Sequence, residues 1–305
     1  MNCDGTPGPD GFSGHLFQFF WETIAADVVK SIHHFFLNDM LQNNVNSNLL
    51  ILIPKTPGAY RVDMFRPIAL ANFQFKIITK FLADRLAIVT SKLYLRNNGV
   101  IAGVASPTVP SIPLIGIFLI NVLQQFGFND QFCKWINEIL HSAKLSILVN
   151  SKVVGYFNCT RGVRQGDPLS PLLVCIAEEV LGRSITKAAM DGQLCLMILC
   201  RGTTIPTHVL YVDDIMIFCK GTKRKIRSVL RIFNSYGAAS RQVINNAKSK
   251  FYAGAISNSR LVNIAPQLGF NMGSLPFTYL GCPIFVGKPL KQYIFKLWRI
   301  GLKRN

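Results

Sequence analysis

Tyr211-Val212-Asp213-Asp214 lies between two apolar runs, Thr207 to Val212 and Ile215 to Cys219, and how this stretch is read decides the fold. Short apolar runs split by polar residues predict two strands joined by a tight hairpin, with the acid pair at its tip. Adjacent carboxylates held this way suit a hard divalent cation. Mg²⁺ takes oxygen ligands, keeps several waters and is bound through one or two carboxylates together with substrate phosphates. The same residues also fit a solvated turn, where Asp is common. Only the rest of the chain can separate the two readings.

The chain has 305 residues, half of them hydrophobic, so a substantial core is expected and a disordered chain is excluded. Lys and Arg total 33 against 15 Asp and Glu, a net charge of +18, and the imbalance reads as general along the chain. Such an excess points to a polyanionic partner, because Lys and Arg neutralising phosphates supply sequence-independent affinity for nucleic acid. A basic protein without such a ligand is the other possibility, since net charge bears on association and not on fold. The eight cysteines, from Cys3 to Cys282, show no C-x-x-C and no His spacing for zinc, and are read as reduced, mostly buried thiols. The polar, Gly- and Pro-rich start gives no signal-peptide pattern. The best membrane candidate, Val109 to Leu123, is short and carries Pro110 and Pro113, so no membrane partner is expected.

Along the chain, the turn-rich opening Asp4 to Gly11 predicts a loop, and Phe12 to Leu41 a helical stretch. Ile51-Leu52-Ile53 predicts a short strand ending at Pro54-Lys55, and Phe75 to Val89 a helix. Gly103 to Pro113 is rich in small residues and proline, and a helix-like run from Leu114 ends near Gly127. Leu145 to Val149 and Lys152 to Phe157 flank Asn150-Ser151 as a hairpin. In Arg164-Gln165-Gly166-Asp167-Pro168-Leu169-Ser170-Pro171, Asp167 is expected to cap a helix whose first position is Pro168. Leu169, Leu172, Leu173, Ile176, Ala177 and Val180 would line its buried face. After the hairpin comes a basic amphipathic helix with Lys223, Arg224, Lys225 and Arg227, which fits either a solvated face or nucleic-acid contact.

Five blocks taken together resemble the reverse transcriptase domain of LINE-type (non-long-terminal-repeat) retrotransposons, of the kind abundant in plants. They are Ile53-Pro54-Lys55 with Phe65-Arg66-Pro67-Ile68, Arg164 to Pro171, Tyr211 to Asp214, Gln242 to Asn245 with Lys248-Ser249, and Leu275 to Gly281. The resemblance implies an α+β right-hand polymerase, with fingers, a palm whose antiparallel sheet packs on helices, and an incomplete thumb. It divides a single truncated domain into a fingers-like part at about 1–108, a palm-like part at 109–260, and a primer grip with the start of a thumb at 261–305. It further implies Mg²⁺ or Mn²⁺ as cofactor, an RNA template, a DNA primer and deoxynucleoside triphosphates as partners, and a nuclear location if functional.

By that resemblance Asp213 and Asp214 are catalytic metal ligands, and Lys55 and Arg66 would touch the incoming triphosphate, where a point charge and a forked guanidinium serve different purposes. Arg66 would serve equally as a structural ion-pair partner. Gln165 and Gly166 would lie where template base and nucleotide meet, with glycine allowing close backbone approach. Tyr211 would border the primer terminus. Lys248 would assist near the pyrophosphate, or simply be a solvated surface cation, and Leu275 to Gly281 resembles the primer-grip hairpin. The family's chemistry is nucleotidyl transfer to a primer 3′-hydroxyl by two metal ions held by three carboxylates. The block resembling D-x-x-K-A-F-D, which supplies the first of the three, is missing, and no Asp or Glu occurs from Arg85 through Asn129. Asp63, Asp84 and Asp130 are the nearest acids in sequence, but none sits in a matching motif. The chain is therefore expected to be inactive as a polymerase, with a catalytically dead nucleic-acid-binding remnant as the alternative.

Overall fold

Residues 3–95, 116–159, 162–195, 206–211, 214–253, 257–279 and 282–285 are described by a computed structural model. It mixes helices with mainly antiparallel ladders. The chain forms two compact units. The first comprises Met1–Ser184, His208–Ile217 and Ala238–Gln242, and the second Ile185–Thr207, Phe218–Gly237 and Val243–Asn305.

In the first unit the helical stretch expected at Phe12 to Leu41 is two helices, α1 (Gly14–Phe19) and α2 (Trp21–Asn38). They break at Phe20, where φ is −95° and ψ 15°. The Phe20 N–H donates to Leu16 O at 3.0 Å while its own carbonyl accepts from Ile24 N–H at 3.0 Å, so the break leaves both groups satisfied. Strand β1 (Ser47–Pro54) is longer than its apolar triplet. Its first residues, Ser47 and Asn48, are buried yet polar, which hides them from a hydrophobicity pattern.

β1 pairs antiparallel with β2 (Phe65–Ala71) and parallel with β3 (Lys144–Val149), which pairs antiparallel with β4 (Lys152–Asn158). The sheet order is β2-β1-β3-β4, antiparallel at its outer pairs and parallel at the central one. The β3–β4 hairpin forms as predicted. Asn150 (φ 48°) and Ser151 (φ 62°) both adopt positive φ, which matches the twist of a two-residue hairpin loop. Gly155 (φ 72°) then shifts the register between Leu145 and Ile147 as a β-bulge.

The remaining helices of this unit are α3 (Phe73–Leu95), α4 (Gly116–Gln125), α5 (Asp130–His141) and α6 (Ser170–Met190), the last belonging here through Ser184. The sequence pattern alone did not mark α5. Its Asn129 side chain accepts from Phe132 N–H at 2.8 Å, an N-cap, and it buries Cys133, Ile136 and Ile139 on one stripe. The core gathers Phe35, Phe75, Leu82, Leu119, Leu123, Ile136, Leu173 and Ile176 from five helices. Each such side chain contributes roughly 1.5–3 kcal/mol relative to exposure. β5 (His208–Tyr211) and β6 (Asp214–Ile217) form the hairpin expected around the acid pair.

The second unit holds most of α7 (Lys223–Ser240), then β7 (Lys250–Phe251) paired parallel with β8 (Asn271–Met272), α8 (Asn258–Leu268), and the antiparallel pair β9 (Phe277–Tyr279) and β10 (Cys282–Ile284). Tyr279 opposes Cys282, so the stretch resembling a primer grip is a hairpin here, with Leu280 and Gly281 outside the described residues. Tyr252 stacks on Phe277 with ring centroids 3.7 Å apart.

Two expectations need correction. Of the described free cysteines only Cys133 is buried, while Cys3, Cys159, Cys175, Cys195 and Cys219 are half-buried. Helix α6 starts at Ser170 and not at Pro168, because the Asp167 carboxylate is taken by the Leu169 N–H at 3.0 Å, two residues on, and the Leu169 carbonyl receives the first helical bonds. Gly103 to Pro113 lies outside the described residues, and among those described no helix is long and apolar enough to cross a membrane.

Candidate functional site

The β5–β6 ladder brings Tyr211 opposite Asp214, with Val212-Asp213 as a two-residue connection. Asp214 is exposed at the start of β6, and Val212 and Asp213 lie outside the described residues. Among the described residues the ladder stays two-stranded. β5 rests on α6 through glycine: a Cβ on Gly182 would come within 3.0 Å of His208 Nε2 and 3.1 Å of a Leu210 methyl.

That burial pushes the His208 imidazole below its ordinary value of 6.5. The unfolded chain then binds the proton more readily, so the native fold is fully stabilised above that value and loses stability as pH falls through it. Urea midpoints taken from pH 7.5 down to 5 should therefore decline, and His208→Gln should flatten the decline. An unchanged pH profile in that variant would remove His208 from the account.

Lys55 and Arg66 stand at the open end of the β1–β2 hairpin. Arg66 opposes Ile53, and Lys55 continues the ladder through its N–H to Met64 O at 2.9 Å, so alternation sets both side chains on one face. Both are exposed, and Lys55 Nζ donates to the Asp63 carbonyl at 2.7 Å. Further along β2, Ala69 N–H donates to Gln165 O at 2.8 Å. β2 is the edge of its sheet, and the Gln165-Gly166 turn covers that edge. Arg66 and Ala69 are three residues apart on this strand, about 10 Å. The structure thus gathers Lys55, Arg66, Gln165 and Gly166 along one hairpin.

Gly166 has φ 108°, and a Cβ there would sit 2.7 Å from the Ala69 carbonyl oxygen. The turn itself is fixed from beneath by Arg164, which sequence reasoning did not single out. Its guanidinium, 7% exposed, donates to Asn46 Oδ1 and to Ile139 O (3.3 Å), lies 3.6 Å from the Asp167 carboxylate and stacks 4.7 Å over Phe75. Burial pulls the guanidinium below its ordinary value, and Asp167 opposes that pull. Beside Gly166 opens a cavity of about 390 Å³, lined among others by Gly5, Thr6, Phe12, Phe73, Lys76 and Lys80. The opening loop is therefore structural: a Cβ on Gly8 would lie 2.5 Å from the Ala71–Asn72 backbone, and Asp10 N–H donates to Asn72 Oδ1 at 3.2 Å. Burial lowers the Lys76 ammonium and raises the Asp10 carboxyl, and their mutual attraction counters both shifts.

Lys248 is exposed in a turn of the second unit, its N–H donating to both Asn245 O and Asn245 Oδ1 at 3.1 Å. The acids nearest in sequence to the missing block have other duties. Asp63 takes Arg61 Nε at 3.2 Å, Asp84 pairs with Lys80 one turn earlier on α3, and Asp130 occupies the first turn of α5. Among the described residues no three His, Cys, Asp or Glu gather in a way that would hold a metal ion. In sequence, Asp213 and Asp214 are one carboxylate short of the set that the resemblance implies.

A family model for reverse transcriptase (RNA-dependent DNA polymerase) matches residues 117–284, more than half of the chain. The chain belongs to the reverse transcriptase family. The match opens at Ile117, inside the acid-free interval, and takes in the Arg164 to Pro171 block, the acid-pair hairpin and the Leu275 to Gly281 hairpin. This reverse transcriptase domain is 24% identical over 298 residues to the transposon TX1 uncharacterized 149 kDa protein of Xenopus laevis, covering 87% of this chain and 22% of that protein. It is 23% identical over 204 residues to the retrovirus-related Pol polyprotein from type-1 retrotransposable element R2 of Nasonia vitripennis, covering 58% and 19% respectively. An uncharacterized mitochondrial protein of Arabidopsis thaliana is 34% identical over 70 residues, 23% of this chain and 57% of that one. The likeness to the TX1 transposon and type-1 retrotransposable element R2 proteins agrees with the resemblance read from the sequence blocks, and the domain is a small part of each. It spans about a fifth of the length of these two relatives.

Proposed function

We propose that this reverse transcriptase domain keeps the nucleic-acid-facing surface of a template-dependent polymerase and has lost the polymerisation chemistry. The observation that carries this reading is the absence of any carboxylate from Arg85 through Asn129, the interval where the family resemblance puts the first metal ligand. With two carboxylates in place of three, two divalent ions would be held weakly and out of line with the primer hydroxyl and the leaving oxygen.

In this proposal β1, β2 and the Gln165-Gly166 turn serve as fingers, the β5–β6 hairpin with α6 as palm, and the β9–β10 hairpin as primer grip leading to a thumb. Lys55 and Arg66 would face the triphosphate, Gln165 and Gly166 the template base, Tyr211 the primer end, and Lys248 the pyrophosphate. The partners would be an RNA template and DNA primer, and the compartment the nucleus.

Primer extension on an RNA template with Mg²⁺ or Mn²⁺ tests the chemistry. No synthesis above the Asp213→Ala background is expected, alongside retained, strongly salt-dependent binding of an RNA/DNA hybrid. Template-dependent synthesis that disappears in Asp213→Ala would show the polymerase to be intact, and absence of binding at low salt would overturn the binding half.

A further inference from the structure

The positive charge is not general along the chain, as composition first suggests. All 15 Asp and Glu lie at or before Asp214, against 17 Lys and Arg, whereas residues 215–305 hold 16 Lys and Arg and no acid. The net charge is therefore +2 before that boundary and +16 after it. Within the second unit this charge takes a definite shape on α7.

Lys223, Arg224, Arg227 and Arg231 are all exposed. At 3.6 residues per turn they fall within about 100° of arc and about 12 Å of axis, one stripe of the helix. Ile226, Val229 and Tyr236, on the opposite side, are buried. Lys225 points off the stripe and donates to the Gly192 carbonyl. Among the described residues no ion pair engages the four cations of the stripe.

Helix stability does not account for the arrangement. Cations are favourable at a helix C-terminus and unfavourable at its N-terminus. α7 has the reverse: Lys223, Arg224 and Lys225 open the helix, no acid lies in its first turn and no base in its last. Like charges one turn apart repel as well, as at Lys223 with Arg227 and at Arg227 with Arg231. An anionic ligand relieves both costs. The stripe carries no exposed aromatic side chain, since Phe233 and Tyr236 are turned inward, so it offers no platform for stacking unpaired bases. It suits a rigid double-stranded backbone, whose phosphates are read by charge alone.

We propose that the α7 stripe Lys223, Arg224, Arg227 and Arg231 is a docking surface for the phosphate backbone of a nucleic-acid duplex. It belongs to the second unit, whereas the β1–β2 and β5–β6 hairpins belong to the first. The inference rests on the nucleic-acid-binding reading given above.

The test uses the full chain and a 20-base-pair RNA/DNA hybrid, with affinity measured against salt. K223Q/R224Q/R227Q/R231Q should lower the magnitude of the log-log salt slope by about 3 to 4, near 0.9 for each lost contact. A control with four exposed lysines removed elsewhere, K30Q/K134Q/K152Q/K187Q, should change the slope by less than about 1. Thermal melting checks that both variants fold. Equal slopes for the two variants would overturn the stripe while leaving nucleic-acid binding by the domain intact, and no binding by the parent chain would overturn both. Tighter stripe-dependent binding to a single strand of the same length, or to vesicles of anionic lipid, would also overturn the duplex assignment.

Discussion

Arg164→Met is expected to lower the unfolding free energy by about 3 to 5 kcal/mol, the typical effect of removing one partner from a buried ion pair. The guanidinium is 7% exposed and the Asp167 carboxylate 5%, so Met would fill most of the volume but leave Asp167 as an uncompensated buried charge. Asn46 Oδ1 and the Ile139 carbonyl would each lose one donor but keep another, Asn48 Nδ2 at 3.4 Å and Asn46 Nδ2 at 2.9 Å, so the stranded Asp167 charge dominates the cost. Because these groups share one network, the losses are not additive. Arg164→Met/Asp167→Leu should be more stable than Arg164→Met alone, since the stranded charge is gone. Urea denaturation of the two variants measures the difference, and a single variant within about 1 kcal/mol of the parent would mean that water reaches the pair. Nucleic-acid affinity should fall together with stability if the pair holds the Gln165-Gly166 turn in place.

Gly166→Ala is expected to cost about 3 kcal/mol or more, from two separate sources. Its φ of 108° lies where an L side chain is strained, at about 1–3 kcal/mol. The added methyl would also stand 2.7 Å from a backbone oxygen of β2, and backbone cannot swing aside as the end of a side chain can. Relief requires the turn to lift from the sheet edge, which breaks the bond from Ala69 N–H to Gln165 O. Hydrogen exchange at the Ala69 amide reads this directly and should accelerate in the variant. By contrast, Gly58→Ala, at a φ of 75° with open space around it, should cost only its backbone strain. Equal effects at the two glycines would show that close approach to β2 does not matter.

Much of the local structure was legible because its signals are periodic. The β3–β4 and β5–β6 hairpins, α3, and the buried stripe of α6 follow from strand alternation and helical spacing. What escaped was polar or interrupted. β1 begins with buried Ser47 and Asn48, α1 and α2 break at a phenylalanine with no breaker residue, and α5 is marked in sequence by little more than its cap, Asn129. Asp167 accepts a backbone N–H as its residue type predicts, but its carboxylate closes a turn on Leu169 N–H and pairs with Arg164, and the helix starts later. Its residue type fixed the capacity to accept a hydrogen bond, and the fold chose the donor.

The sequence by itself determined the family, the acid-pair hairpin, the lack of a third carboxylate and the concentration of charge after Asp214. Composition and short-range order are properties of the chain, readable without its path through space. Only the tertiary structure decided that Arg164 reaches Asn46, 118 residues away, that the Gln165-Gly166 turn closes the edge of β2, and that four cations of α7 share one exposed stripe. Those facts depend on which distant segments meet and which helix face is covered, and burial energy settles both across the whole fold at once.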